Sequence, residues 1–82
     1  MDDIELIKLI KKGETKYFEE IIKKYKKVVF GHAYNFLRNR EEAEDTAQEV
    51  FIAVYRSLAS FRGDSKLSTW IYRITINTCK NR

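Results

Sequence analysis

The chain has 82 residues, of which 44% are hydrophobic and 34% are charged, and it contains no proline. This length allows one domain, and the composition excludes a disordered chain while favouring long helices. A lone cysteine, Cys79, excludes an intrachain disulfide framework, and no apolar run approaches the roughly 18 residues of a membrane span. We therefore expect a single soluble, cytoplasmic domain over residues 1–82 that does not insert into a membrane.

The net charge of +4 is unevenly distributed along the chain. Residues 39–60 carry two basic and five acidic side chains, whereas residues 61–82 carry five basic and one acidic. A basic C-terminal quarter suits a phosphate backbone, and an acidic middle segment suits a basic protein surface. Solvated helix faces produce the same segregation, so charge alone leaves both interpretations open.

The first predicted helix runs from about Asp3 to Lys12, and Gly13 is the expected stop. Its expected buried positions are Ile4, Leu6, Ile7 and Ile10. The second helix is predicted from about Lys16 to Arg38, with Gly31 allowing a close helix crossing. Its apolar stripe consists of Phe18, Ile22, Tyr25, Val29, Ala33 and Phe36.

Asn39 is a suitable N-cap for a third helix that runs to about Ser60. The buried stripe of that helix is Ala43, Ala47, Val50, Val54 and Leu58. Residues 61–67 are predicted to form a loop, after which Ser68 caps a fourth helix that continues to the chain end. The core side of this helix is expected to carry Ile71, Ile74 and Thr78. The sequence thus predicts an all-α fold, a compact bundle of about four helices.

The third helix has a second face, separate from its buried stripe. It carries Asp45, Gln48, Glu49, Ile52, Tyr55 and Arg56. Two large apolar side chains ringed by acids and an amide are typical of a docking surface. Alternatively, one or both of these apolar residues pack under a neighbouring helix.

The loop and the fourth helix combine aromatic and cationic side chains. Trp70 stands at the boundary between the core side and a polar face that contains Thr69, Arg73, Asn77 and Lys80. Bases of single-stranded nucleic acid stack on aromatic rings while cations neutralise the backbone, which favours a nucleic-acid interface. The alternative is that Trp70 and Phe61 are core residues and the cations are merely solvated.

The run AEDTAQEVFIAVYRSLASFRGDSKLSTWIYRITINTCKNR resembles region two of the extracytoplasmic-function (ECF) sigma factors of bacterial RNA polymerase. The resemblance implies the helical fold of sigma region two and two binding surfaces. The first surface docks on the clamp coiled coil of the largest subunit of the polymerase core. It maps onto Asp45, Gln48, Glu49, Ile52 and Tyr55.

The second implied surface reads the non-template strand of the promoter minus-ten element and captures a flipped base. It maps onto Phe61, Arg62, Gly63, Asp64, Ser65, Lys66, Leu67, Trp70, Arg73, Asn77 and Lys80. Complete family members also have a second domain that reads the minus-thirty-five element, and they commonly bind an anti-sigma factor. That second domain is absent from this chain, which stops at Arg82, so we expect an isolated domain.

Three other classes of protein compete with this interpretation. A helical interaction adaptor would use the acidic face without binding nucleic acid, and a helix-turn-helix repressor fragment would bind duplex DNA. An enzyme is disfavoured because His32 lies on an apolar stripe and Cys79 has neither a second cysteine nor a nearby histidine. We therefore expect no catalytic residue, no metal site and no cofactor.

Overall fold

The computed structural model describes residues 1–82 and contains four α-helices and two short 3-10 turns. The helices are α1 (Asp3–Lys11), α2 (Phe18–Leu37), α3 (Arg40–Ser57) and α4 (Leu67–Lys80), and the turns are Thr15–Tyr17 and Leu58–Ser60. The prediction of an all-α bundle of four helices is confirmed. None of the helices combines the length and the apolar character that spanning a bilayer requires.

Three of the helix boundaries follow from local side-chain and backbone chemistry. Asn39 caps α3, since its side-chain oxygen accepts a hydrogen bond from the Glu42 amide at 2.9 Å. The preceding residue, Arg38, is left-handed with φ 57°, which ends α2 and turns the chain into α3. Gly13, with φ 105°, follows α1 as expected, because glycine adopts this conformation without a Cβ clash.

The start of α4 differs from the prediction. The helix begins at Leu67, so Ser68 is an exposed residue of its first turn rather than its cap. Lys66 occupies the N-cap position with an extended backbone and makes no side-chain capping bond. Starting two residues earlier places Leu67 in the core at 4% exposure, and this burial outweighs the missing cap.

The core lies between α2, α3 and α4, which all contact one another, while α1 packs against α2 and both 3-10 turns. Aliphatic side chains such as Ile21, Val29 and Val54 are completely buried, and each contributes about 1.5–3 kcal/mol. A second cluster consists of three small residues, Ala33, Ala43 and Cys79. It joins α2, the first turns of α3 and the end of α4, so this part of the bundle has a small core of its own.

Two residues assigned to buried stripes are exposed. Ile4 is 65% exposed because Leu6, Ile7 and Ile10 define the buried arc of α1, and Ile4 lies about 60° outside it. Phe36 faces the same way as Val29 but is 47% exposed, since it lies in the last turn of α2. Periodicity predicts the direction of a side chain, not how far the neighbouring helix extends.

Smaller shifts occur within the stripes of α3 and α4. Thr46 is fully buried where Ala47 was expected, and Ala47 is only half-buried. In α4 the buried residues are Leu67, Ile71, Thr75 and Cys79, while Ile74 and Thr78 lie at the edge of the core. The expected close approach at Gly31 is wrong, because no atom lies within 4 Å of the position that a Cβ would occupy.

Candidate nucleic-acid interface and docking face

Residues 61–66, here called loop 61–66, connect the second 3-10 turn to α4. Gly63 has φ 79°, a left-handed conformation that glycine adopts readily, and it lies at the start of a bend within the loop. At its first residue the loop is held by Lys11, whose Nζ donates a hydrogen bond to the carbonyl oxygen of Phe61. The loop is therefore anchored to α1 as well as to α4.

Phe61 itself is a core residue, and its ring contacts that of Trp70. The ring centroids are 4.8 Å apart and the planes are inclined at 47°. Trp70 is half-buried, as expected for a residue at the boundary of two helix faces. The contact fixes the indole beside the loop while leaving part of it accessible.

A cavity of about 180 Å³ lies between the loop and the first turns of α4. Its lining residues are Ser60, Phe61, Arg62, Asp64, Ser65, Trp70 and Arg73. It therefore combines an aromatic surface, two guanidinium groups, and hydroxyl and carboxylate oxygens that can accept hydrogen bonds. This is the set of groups that a nucleobase and its phosphate require.

The remaining residues predicted to bind DNA lie in three other environments. Asn77 and Lys80 are exposed on α4, four and seven residues after Arg73, so they extend its face without entering the cavity. Leu67 is buried in the core, where it contacts solvent too little to bind DNA directly. Gly63 and Lys66 line a larger cavity of about 720 Å³ on the side of the loop that faces α1.

The second face of α3 is exposed as the docking interpretation requires. Ile52 is 53% exposed and Tyr55 is 45% exposed, so neither is covered by a neighbouring helix. Tyr55 is braced by an edge-to-face contact with Phe18, with ring centroids 5.0 Å apart. Asp45, Gln48 and Glu49 are also exposed.

These residues border an apolar cavity of about 440 Å³ on the surface. The lining includes three residues that the sequence did not assign to the docking face, namely Phe18, Ile22 and Phe51. Phe51 could have been found from the periodicity of α3, because it is next to Ile52 in the sequence. The contribution of Phe18 and Ile22 could not, because it depends on how α2 packs against α3. The lining of the cavity is mostly apolar, with Gln48 and Arg56 as its polar members.

Glu49 is not free on this surface. It forms an ion pair with Arg82, whose guanidinium also bonds to the Glu42 carboxylate at 2.7 Å. Hydrogen bonding to Glu42, together with the charges of both carboxylates, raises the pKa of Arg82. Nothing in the local sequence signals this contact, because it joins residues 33 and 40 positions apart.

The chain as a whole is similar to several known proteins. Residues 21–82 match the family described as Sigma-70 region 2. RNA polymerase sigma-H factor of Pseudomonas aeruginosa is 43% identical over 79 residues, which are 96% of this chain and 41% of that protein. ECF RNA polymerase sigma factor SigW of Bacillus subtilis is 43% identical over 93% of this chain and 41% of its own length. The chain thus spans about two fifths of the curated relatives that it matches.

A solved structure extends the similarity to the fold. The NMR structure of an engineered region 2 of sigmaE in complex with GTAAAA is 36% identical and superposes with a TM-score of 0.91. The match covers 99% of this chain and 84% of that one. The resemblance to region two of ECF sigma factors is therefore confirmed, and the chain belongs to the Sigma-70 region 2 family.

Proposed function

We propose that this chain is the promoter-opening domain of a bacterial sigma factor of the ECF type. Loop 61–66 and α4 capture an unpaired base of the non-template strand in the minus-ten element, and the exposed face of α3 docks on the polymerase clamp. One observation carries the proposal: an aromatic and cationic cavity lies beside the loop in a fold whose relative was solved with GTAAAA. Family membership favours this function over an adaptor or a helix-turn-helix fragment.

The cavity offers each kind of contact that a flipped base needs. The indole of Trp70 provides a stacking surface, Arg62 and Arg73 neutralise phosphates, and Asp64 can accept a hydrogen bond from an exocyclic amine. Stacking contributes about 1–3 kcal/mol per base, whereas unstacking and unpairing a base in a duplex costs a few kcal/mol. The isolated domain should therefore hold strands that are already open, and should open paired DNA only with the polymerase.

The exposed face of α4 extends the binding track beyond the cavity. Arg73, Asn77 and Lys80 lie along about 10 Å of helix at a rise of 1.5 Å per residue. Asn77 presents both a donor and an acceptor to a base edge, and Lys80 provides a third cation for the phosphates. Phe61 and Leu67 take part through the core, where they fix the two ends of the loop.

The exposed face of α3 accounts for the proposed docking on the polymerase clamp. Ile52 and Tyr55 form an apolar anchor beside a cavity of about 440 Å³, while Asp45 and Gln48 form a polar and acidic rim. Glu49 belongs to the same rim, where a basic partner would compete with Arg82 for its carboxylate. Such a rim suits a basic partner surface. The domain is thus a non-catalytic binding module that works in the cytoplasm, and an anti-sigma protein would control it by covering these surfaces.

The proposal is tested by fluorescence anisotropy with three labelled DNAs at one salt concentration. These are single-stranded GTAAAA, a scrambled hexamer of the same composition, and a duplex that contains GTAAAA. We expect the tightest binding to single-stranded GTAAAA and weak binding to the duplex. Equal affinity for all three would contradict base capture, and a preference for the duplex would instead support the helix-turn-helix alternative.

A further inference from the structure

The hydrogen bond between Lys11 and Phe61 joins two parts of the chain that are 50 residues apart. Lys11 is the last residue of α1, and Phe61 is the first residue after the second 3-10 turn. A carbonyl at this position has left the hydrogen-bonding pattern of the turn and needs another donor. The ammonium group provides one, and because it is charged the bond is stronger than a neutral one.

The other end of α1 is also fixed in place. Asp3 accepts hydrogen bonds from the Tyr25 hydroxyl and from Lys24 Nζ, the latter at 2.7 Å, so the first turn of α1 is tied to α2. Between the two ends, Ile7 packs in the same core cluster as Phe61. The helix is therefore a rigid connection between α2 and the start of loop 61–66.

The loop lies between α1 and the cavity that contains Trp70. On one side it shares a cavity of about 720 Å³ with Asp3, Ile4 and Ile7 of α1. On the other side Phe61 contacts the Trp70 indole. A displacement of the Phe61 backbone would thus move both the loop and the ring on which a base stacks.

We propose that α1 is the support that sets the shape of loop 61–66, and that Lys11 is its positioning residue. The family model begins at residue 21, whereas the solved relative matches 99% of this chain and so includes α1. A loop that already has its binding shape before DNA binds loses less conformational entropy on binding. Only a DNA sequence that fits this shape binds more tightly as a result, so the support increases selectivity. The inference rests on the proposed function, since it concerns selectivity among single-stranded sequences.

Three variants of the full chain separate positioning from charge. Lys11→Met keeps the alkyl stem but removes the donor, and Lys11→Arg keeps a cationic donor. Lys8→Met is the matched control, because Lys8 is an exposed cation of the same helix and makes no side-chain hydrogen bond in the structure. Each variant is titrated with single-stranded GTAAAA and with the scrambled hexamer, well below its measured melting midpoint.

We expect Lys11→Met to reduce the affinity ratio between the two hexamers by about three- to tenfold, the equivalent of one hydrogen bond. Lys11→Arg should restore most of the ratio, and Lys8→Met should leave it unchanged. In the DNA-free protein, the NMR signal of the indole N–H should shift in Lys11→Met but not in Lys8→Met. The chain has a single tryptophan, so this signal reports on Trp70 alone.

Two results would overturn the inference. In one, Lys11→Met retains the wild-type ratio with an unmoved indole signal, so the bond does not shape the loop. In the other, both hexamers weaken by the same factor and the salt dependence becomes shallower, which identifies Lys11 as an ordinary phosphate contact. If the wild-type protein itself does not distinguish the hexamers, the proposed function fails rather than the role of Lys11.

Discussion

Phe61 and Trp70 form an aromatic pair in which a core residue supports a residue of the candidate interface, with ring centroids 4.8 Å apart. The centroid distance lies within the range that aromatic pairs favour, and such pairs contribute about 0.5–1.5 kcal/mol beyond area burial. Because the core already restricts the motion of the indole, stacking costs the conformational freedom of the base but little further freedom of the ring. The pair therefore links the stability of the fold to the proposed capture of DNA.

Trp70→Ala should weaken binding of single-stranded GTAAAA by about 1–3 kcal/mol, the contribution of one stacked base. Tyr72→Ala is a suitable control, because Tyr72 is also aromatic but lies across α4, where its ring contacts His32. Anisotropy titrations of both variants, with circular dichroism to verify folding, make the comparison. If the two substitutions weaken binding equally, or Trp70→Ala has no effect, Trp70 has no role in stacking.

Much of the fold could be predicted because the apolar spacing and the caps act locally. Asn39 and Gly13 marked helix ends by their own backbone chemistry, and both are at the predicted places. Ile4 and Phe36 were assigned wrongly because their exposure depends on where the neighbouring elements end. Ser68 was wrongly assigned as the N-cap of α4, because the helix begins earlier and buries Leu67 instead. Capping preference alone does not include the free energy of that burial.

The candidate site was predictable to a similar degree. Residues on one helix, such as Gln48, Ile52 and Tyr55, share a face through the helical repeat, and the structure leaves all three exposed. The contacts of Lys11 with Phe61, and of Arg82 with Glu49, could not be predicted. They depend on how separate helices meet, which no local spacing encodes.

Ile52→Ala should weaken binding to the coiled-coil fragment of the polymerase clamp by about 1 kcal/mol or more, as expected for an apolar anchor. Because Ile52 is 53% exposed, the same substitution should change the melting temperature little. Val28→Ala removes a comparably exposed aliphatic side chain from α2 and should leave binding unchanged. A pull-down with quantified band intensities, or calorimetry, provides the measurement. Equal binding of wild type and Ile52→Ala would remove Ile52 from the interface.

Thr46→Val should stabilise the fold by about 1 kcal/mol. The Thr46 hydroxyl is completely buried and has no hydrogen-bond partner, and an unsatisfied buried hydroxyl costs about 1–3 kcal/mol. Thr75→Val is the matched control, because the equally buried Thr75 hydroxyl donates to the Ile71 carbonyl at 2.8 Å. Because Thr75→Val gives up a hydrogen bond that contributes about 0.5–1.5 kcal/mol, the control should not gain stability. In a domain of this size the Thr46 substitution should raise the melting temperature by about 4–8 °C, and a lower melting temperature would mean that its hydroxyl does find a partner.

Because of Tyr25, the stability of the fold should decrease as the pH rises into the alkaline range. Burial, assisted by the hydrogen bond to Asp3 and by the negative charge of Asp3, raises the pKa of Tyr25 above its ordinary value of 10.0. The folded protein therefore keeps this proton after the unfolded chain has lost it. The stabilisation is fully present below pH 10 and decreases above it, by up to about 1.4 kcal/mol per pH unit.

Tyr25→Phe removes the hydroxyl, so at neutral pH this variant should be less stable by about 1.5–3 kcal/mol, the contribution of a hydrogen bond to a charged group. As the pH rises above 10 the difference from wild type should narrow, because only the wild-type protein loses the contribution of this group. Urea unfolding at several pH values between 7 and 11 measures both curves, and Tyr34→Phe controls for loss of an exposed hydroxyl. A difference that stays constant or widens with pH would show that Tyr25 does not retain its proton in the fold.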